Sequence, residues 1–127
     1  MRSYDLGRAG EAFACDYLTA HGYEILHRNY RSGHLETDII CENDTHILFV
    51  EVKSRTDRAV PSRFGRPAAA VDFRKRVNIK ACAEQYIYEK KPNKKPRIDV
   101  IEVYLTAVGD TFVLSPRGIH HIENALM

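Results

Sequence analysis

The stretch HILFVEVKSR, His46 to Arg55, decides the fold. Read as a β-strand, it places Ile47, Phe49, Glu51 and Lys53 on one face and Leu48, Val50 and Val52 on the other. Both faces begin apolar, so the strand is expected to be central and buried. Yet it carries a carboxylate and an amine two residues apart. Ionised groups near a core are costly unless they are paired or bind a metal. A Glu51–Lys53 ion pair made for its own sake is one account, although such pairs rarely add net stability over apolar replacements. A strand end that reaches water at Glu51 is a second account. A functional site is the third, because perturbed ionisable groups gather at such sites.

The segment just upstream favours the third. LETDIICE, Leu35 to Glu42, reads as a strand with Glu36, Asp38 and Ile40 on one face. The turn residues ENDT join it to the first stretch, so the two strands should form an antiparallel hairpin. A register centred on Asn43-Asp44 sets Glu36 opposite Glu51 and Asp38 opposite Phe49; a shift of two residues sets Asp38 opposite Glu51 instead. Either brings Asp38 within cross-strand or diagonal reach of Glu51. Two carboxylates gathered at one place repel, and a hard divalent cation removes the repulsion. Mg²⁺ prefers oxygen ligands, keeps several waters and is often held by only one or two carboxylates. The Val52 backbone carbonyl would add an oxygen. Lys53, on the same face, would be placed to orient or deprotonate an attacking water or to stabilise charge on a phosphate.

Farther out, Leu6 to His21 reads as a helix with Leu6, Gly10, Phe13, Ala14, Tyr17 and Leu18 on one face, stopped by Gly22. Gly7 and Gly10 weaken it by roughly 1 kcal/mol each relative to Ala, so close approach of another backbone is expected there. Glu11 lies at the edge of the apolar stripe; by spacing alone it is an exposed charge on the helix flank. YEILHRNYR is a first strand, broken by Ser32-Gly33. After the hairpin, Thr56 to Pro67 reads as an exposed loop, and a long helix runs from about Ala68 to Lys90. On that helix Val71, Lys75, Ile79, Cys82 and Tyr86 share a narrow sector. Lys75 therefore interrupts an apolar stripe, either snorkelling to water or pointing toward the acidic residues. RIDVIEVYL is a fourth strand and TFVL a short fifth, and the tail GIHHIENALM is expected to form a short helix or an irregular segment. The expected architecture is a single α/β domain over residues 1–127: a central mixed sheet, an N-terminal helix and a long helix after the third strand.

The chain has 127 residues and a net charge of +2, too small to settle its partners. The distribution says more, because basic residues thicken between Lys53 and Arg97. Such a surface suits a polyanion, and solvated Lys and Arg on loops and a helix are the plainer account. The three cysteines, Cys15, Cys41 and Cys82, are odd in number, widely spaced and without a C-x-x-C, which argues against a disulfide framework and a zinc knuckle. Reduced, buried thiols in a cytoplasm are the simplest account. No apolar run follows Met1, and none approaches a membrane span, so neither a signal peptide nor a membrane partner is expected. The adjacent His120 and His121 diverge on any regular backbone, which favours a solvent role over metal binding. There is no phosphate-loop spacing and no set suggesting a covalent nucleophile.

The segments GRAGEAFACDYLTAHGYEILHRNYRSGHLETDII, LFVEVKSR, AVDFRKRVNIKACAEQYI and RIDVIEV, with the closing IHHIENAL, resemble the YraN-like family of small uncharacterised bacterial proteins over nearly the whole chain. That family resembles in turn the PD-(D/E)XK nuclease superfamily, and archaeal Holliday-junction resolvases in particular. The resemblance implies a restriction-endonuclease-like α/β core with a metal site at the fork of the central hairpin. It implies that Asp38 and Glu51 are the acidic ligands and Lys53 the lysine of the motif. It also implies that Glu11 completes the site from the first helix and that Lys75 is the family's lysine in the second. The family segment usually read as Gly-Glu-Ile-Asp is here Leu35-Glu36-Thr37-Asp38, which keeps the acidic positions and alters the packing behind them.

Together these readings give a Mg²⁺- or Mn²⁺-dependent nuclease-like protein acting on DNA, with branched DNA as one substrate class. Asp38, Glu51, the Val52 carbonyl and Glu11 would hold the metal, directly or through water. Arg55, Arg63, Arg66 and Lys75 would contact the nucleic acid. Symmetric cutting of two strands would call for a homodimer. The rivals are a DNA-binding module of the same fold without turnover, and an interaction protein with a relic site; fold alone does not choose among them.

Overall fold

The computed structural model describes residues 3–56 and 73–125. In chain order they form α1 (Ser3–Ala20), β1 (Glu24–Ser32), β2 (Leu35–Glu42), β3 (His46–Thr56), α2 (Phe73–Lys90), β4 (Lys95–Val108) and β5 (Thr111–Ile122). The strands make one sheet in the order β1-β2-β3-β4-β5. The β3–β4 pair is parallel and the other pairs are antiparallel. A parallel pair needs a crossover connection, and α2 lies on it. This is the α/β architecture expected, with a mixed central sheet consistent with a restriction-endonuclease-like core. Of the loop expected from Thr56 to Pro67, Thr56 instead ends β3; residues 57–67 and the start of the expected second helix, residues 68–72, lie outside the described residues.

The alternation along β3 sorts the core into two layers. Leu48, Val50 and Val52 pack with Ala14 and Leu18 of α1 and with Ile101, Val103 and Leu105 of β4. Ile47 and Phe49 pack on the other face with Ile79, Ala83 and Tyr86 of α2 and with Ile98 and Val100. Cys15, Cys41 and Cys82 are free and buried, as expected of reduced thiols, and burial pushes the Cys41 thiol up to about 12. No helix among the described residues is long and apolar enough to cross a membrane.

The hairpin takes the shifted register. Ile39 faces Val50, Ile40 faces Phe49 and Cys41 faces Leu48, so the register that set Asp38 against Phe49 is corrected. The turn is the cause. The Asn43 N–H donates to the His46 carbonyl at 3.0 Å. The Asn43 side-chain Oδ1 accepts the N–H groups of Thr45 at 3.0 Å and His46 at 2.8 Å. Asp44-Thr45 is therefore the loop tip, one residue later than Asn43-Asp44.

A second correction concerns the C-terminal segment, which continues β5 to Ile122 instead of forming a helix or an irregular tail. β4 is long enough to template it. The ladder is interrupted between the pairs Leu105–Leu114 and Val103–Ile119. Pro116, which lacks an N–H, falls in that interruption on an edge strand, where it is tolerated.

Of the two glycines expected to admit a close neighbour, Gly10 does so and Gly7 does not. A Cβ on Gly10 would lie 1.7 Å from Ser54 Oγ and 2.8 Å from Ser54 Cβ, whereas one on Gly7 would meet nothing within 4 Å among the described residues. At Gly10, α1 thus presses its backbone onto β3. Gly10→Ala should destabilise the fold by about 1–3 kcal/mol in urea unfolding despite its better helix propensity, because the overlap forces the helix off the sheet. The double variant with Ser54→Gly should recover part of that loss; a neutral single variant would show that the approach is not tight. On the neighbouring strand, Thr37 is 1% exposed. Its Oγ1 has no hydrogen-bond partner among the described residues. The near-isosteric Thr37→Val should therefore raise stability by about 1 kcal/mol, and a loss of stability would mean that the hydroxyl has a partner.

Candidate functional site

Pairing between β2 and β3 runs to Ile39–Val50, and beyond it the strands part. The Val52 N–H, which would otherwise be left unpaired in a buried strand, donates to Asp38 Oδ2 at 2.8 Å. The N–H and C=O of one strand residue point to the same side, so the Val52 carbonyl opens toward the same gap. Glu51 precedes Val52 on β3 and is 3% exposed. Its Oε1 accepts a hydrogen bond from Lys75 Nζ of α2. Lys75 thus points to the acidic residues rather than merely snorkelling.

A cavity of about 320 Å³ opens at the fork, lined by Leu6, Gly7, Glu11, Asp38, Glu51, Val52, Lys53, Ser54 and Lys75. The structure therefore brings together Asp38, Glu51, Val52, Lys53, Glu11 and Lys75. A second hollow of about 340 Å³, lined by Arg31, His34, Glu36, Glu51, Lys75, Asn78 and Ile79, shares Glu51 and Lys75 with the first. Glu36 turns to Arg31 at 3.1 Å. Arg55 lies apart from the cavity lining, and its Nε–H donates to Glu102 Oε2 at 3.0 Å. Arg63 and Arg66 lie outside the described residues.

The electrostatics follow from burial. Desolvation, then the charge of Glu51, pushes the Asp38 carboxyl up to about 7, against the pull of the Val52 N–H. Desolvation also raises the Glu11 carboxyl, against the Asn29 side chain and Arg28, with Glu51 and Glu36 adding to the rise. Burial alone would lower the Lys75 ammonium, but its hydrogen bond and charge contact with Glu51 outweigh this and raise it. The fork thus holds more negative charge than Lys75 neutralises. Among the described residues, Asp38 Oδ2 accepts the Val52 N–H and Glu51 Oε1 accepts from Lys75. Two carboxylates and a carbonyl fit a Mg²⁺-type ion that retains several waters. Glu11 lines the same cavity from α1.

Sequence reasoning missed a separate cluster. Asp99 is fully buried. Arg97 grips it through Nε and Nη2, both at 2.9 Å, and the Asn124 N–H donates at 3.1 Å. His121 Nε2–H donates to Asp99 Oδ2 at 2.6 Å, while its Nδ1 shares a 2.9 Å hydrogen bond with the Tyr17 hydroxyl. Burial pushes the Asp99 carboxyl up, but the bonds from His121, Arg97 and Asn124 outweigh it and hold it below its ordinary value. His121 is therefore partly buried and held in a network, whereas His120 is exposed, as divergence on a strand requires. The polar letters in RIDVIEV were the available signal.

The comparisons agree with one another. The profile of the uncharacterised protein family UPF0102 matches residues 10–103. A UPF0102 protein of Dictyoglomus thermophilum is 41% identical over 110 residues, covering 86% of this chain and 90% of its own. One of Clostridioides difficile is 40% identical over 126 residues, covering 98% and 99%. One of Caldicellulosiruptor saccharolyticus is 41% identical over 126 residues, with the same coverage.

The raised Asp38 carboxyl makes stability depend on pH. Its folded value of about 7 exceeds the ordinary 3.8, so ionising it costs stability as pH rises toward 7. In metal-free urea unfolding, Asp38→Asn should be more stable than the parent by about 1–4 kcal/mol at pH ~8, the two carboxyl values being about three units apart. The gain should shrink as pH falls through 7 and vanish near 4. A pH-independent difference would refute the assignment.

Proposed function

The chain belongs to the UPF0102 family, and from that premise we propose that it is a Mg²⁺- or Mn²⁺-dependent nuclease acting on DNA phosphodiesters. The observation that carries the reading is the fork, where Asp38, Glu51 and the Val52 carbonyl meet beside Lys53 in an open cavity. Asp38, Glu51 and Val52 would hold the cation, with Glu11 reaching it through water. A bound cation would supply charge neutralisation at the scissile phosphate. Lys53 orients the attacking water within the cavity. Lys75, released from Glu51, takes a phosphate oxygen. Glu51 and Lys75 also line the second hollow, which gives the substrate strand a path past Arg31 and His34. Branched DNA and a symmetric homodimer are the finer form of this reading.

One observation favours a second reading, a DNA-binding module without turnover: Lys75 already neutralises the carboxylate that a cation would need. Cleavage separates the two. Labelled single-stranded, duplex, flap and four-way-junction DNA would be incubated with Mg²⁺, Mn²⁺ or EDTA. The nuclease predicts cutting that requires the metal, disappears in Glu51→Ala and falls at least about 10²-fold in Lys53→Ala, the lower end for a positioned proton-transfer group. Salt-sensitive binding without cutting, unchanged in Glu51→Ala, would establish the module instead.

A further inference from the structure

The sheet face that carries Glu51 and Lys53 continues across β4 and β5. α2 packs chiefly against β2, with fewer contacts to β1 and β3. On this face the register aligns Lys53 with Glu102 and Glu102 with His120, and in the next row Arg55 with Tyr104. The Arg117 guanidinium lies 4.1 Å from the centre of the Tyr104 ring, and the His120 ring meets the same ring edge-on at 5.5 Å. Glu102, 3% exposed, accepts the Arg55 Nε–H at 3.0 Å and the Tyr104 hydroxyl at 3.2 Å. One buried carboxylate thus fixes two members of the group.

The placement of Arg117 has a structural cause. Residues 115–118 stand opposite Tyr104, between the pairs Leu105–Leu114 and Val103–Ile119. The buried Ser115 Oγ accepts the Arg117 N–H at 3.1 Å, and Gly118 takes a φ of 71°. Such bulges re-aim side chains, and this one lays Arg117 across the strand over Tyr104.

The geometry points to a DNA-backbone contact surface here: Arg117, seated on Tyr104, and Arg55, fixed by Glu102, take phosphates of the strand that enters the Asp38–Glu51 cleft. The inference rests on the proposed function and extends its binding surface to β5. Charge complementarity selects the occupant, since guanidinium groups suit phosphate and a stacked one is preorganised. Arg55 is four residues from Glu51, about 13 Å at ~3.3 Å per residue. That is about four nucleotides along a duplex at ~3.4 Å each.

The test is equilibrium binding to labelled four-way-junction and duplex DNA across a salt titration, in EDTA, with a thermal melt of each protein. Arg117→Gln should weaken binding about 3- to 10-fold and reduce the slope of log K against log salt by about 0.9, the loss of one phosphate contact. Arg117→Lys should keep the slope, because it keeps the charge. A purely structural role would instead lower the melting temperature of both variants and leave the slope alone, which overturns the inference. Where Arg117→Gln fails to fold, His120→Lys reads the same surface: it adds a cation and should steepen the slope by a similar amount, and an unchanged slope overturns the inference. Wild-type protein that cuts or binds DNA while Arg117→Gln matches it overturns this surface alone; wild-type protein that binds neither DNA overturns the proposed function with it.

Discussion

The Val52 amide finds its hydrogen bond in a side chain rather than in the next strand, and the site depends on that exchange. An unpaired N–H in a buried strand costs about 1–3 kcal/mol. Continued β2–β3 pairing would satisfy it and close the fork. Asp38 Oδ2 satisfies it at 2.8 Å and leaves the fork open. The same bond fixes the Asp38 carboxylate beside the gap into which the Val52 carbonyl opens, one residue from Glu51. Opening the sheet and placing the carboxylate are thus one event.

The molecule buries carboxylates in two ways. Asp99 and Glu102 are supplied with donors: Asp99 has Arg97, His121 and a backbone N–H, and Glu102 has Arg55 and a tyrosine hydroxyl. Both carboxylates tie β4 to its neighbours, and the donors around Asp99 hold its carboxyl below the ordinary value. Among the described residues, Asp38 and Glu51 share one ammonium and one amide between them. Desolvation and mutual repulsion then raise the Asp38 carboxyl, where desolvation with ample donors leaves that of Asp99 lowered. Burial is common to both pairs, and the supply of donors among the described residues separates them.

This contrast also marks what the sequence could disclose. The central strand, its two faces and the approach of Asp38 to Glu51 were legible because period-two alternation is a local property and Glu51 breaks it at an apolar site. Lys75 was legible as an interruption of a helical stripe, but its direction was not, since snorkelling and pairing give the same spacing. The hairpin register turned on which residue caps the turn, and ENDT offers several candidates; Asn43 won by accepting two amides with one oxygen. The continuation of β5 was hidden because Pro116 and Gly118 read as an end when they lie in a bulge. The Asp99 cluster was hidden because His121 and Tyr17 are 104 positions apart and meet only in the fold.

The two helices lie on opposite faces of the sheet, yet Glu11 and Lys75 line one cavity. The fork makes this geometrically available, since only where strands part can groups from both faces share a space. The contact of Gly10 with Ser54 brings α1 close to β3, and Glu11 is the next residue along. The cavity then holds Asp38, Glu51 and Glu11 with Lys53 and Lys75, while Arg55 and Arg117 stand on the face beyond. A polyanion drawn to the cationic face would meet carboxylates at the fork and be repelled there unless a cation lay between them. Under the proposed function, metal and DNA must therefore each strengthen the binding of the other, by a factor that linkage makes equal in both directions.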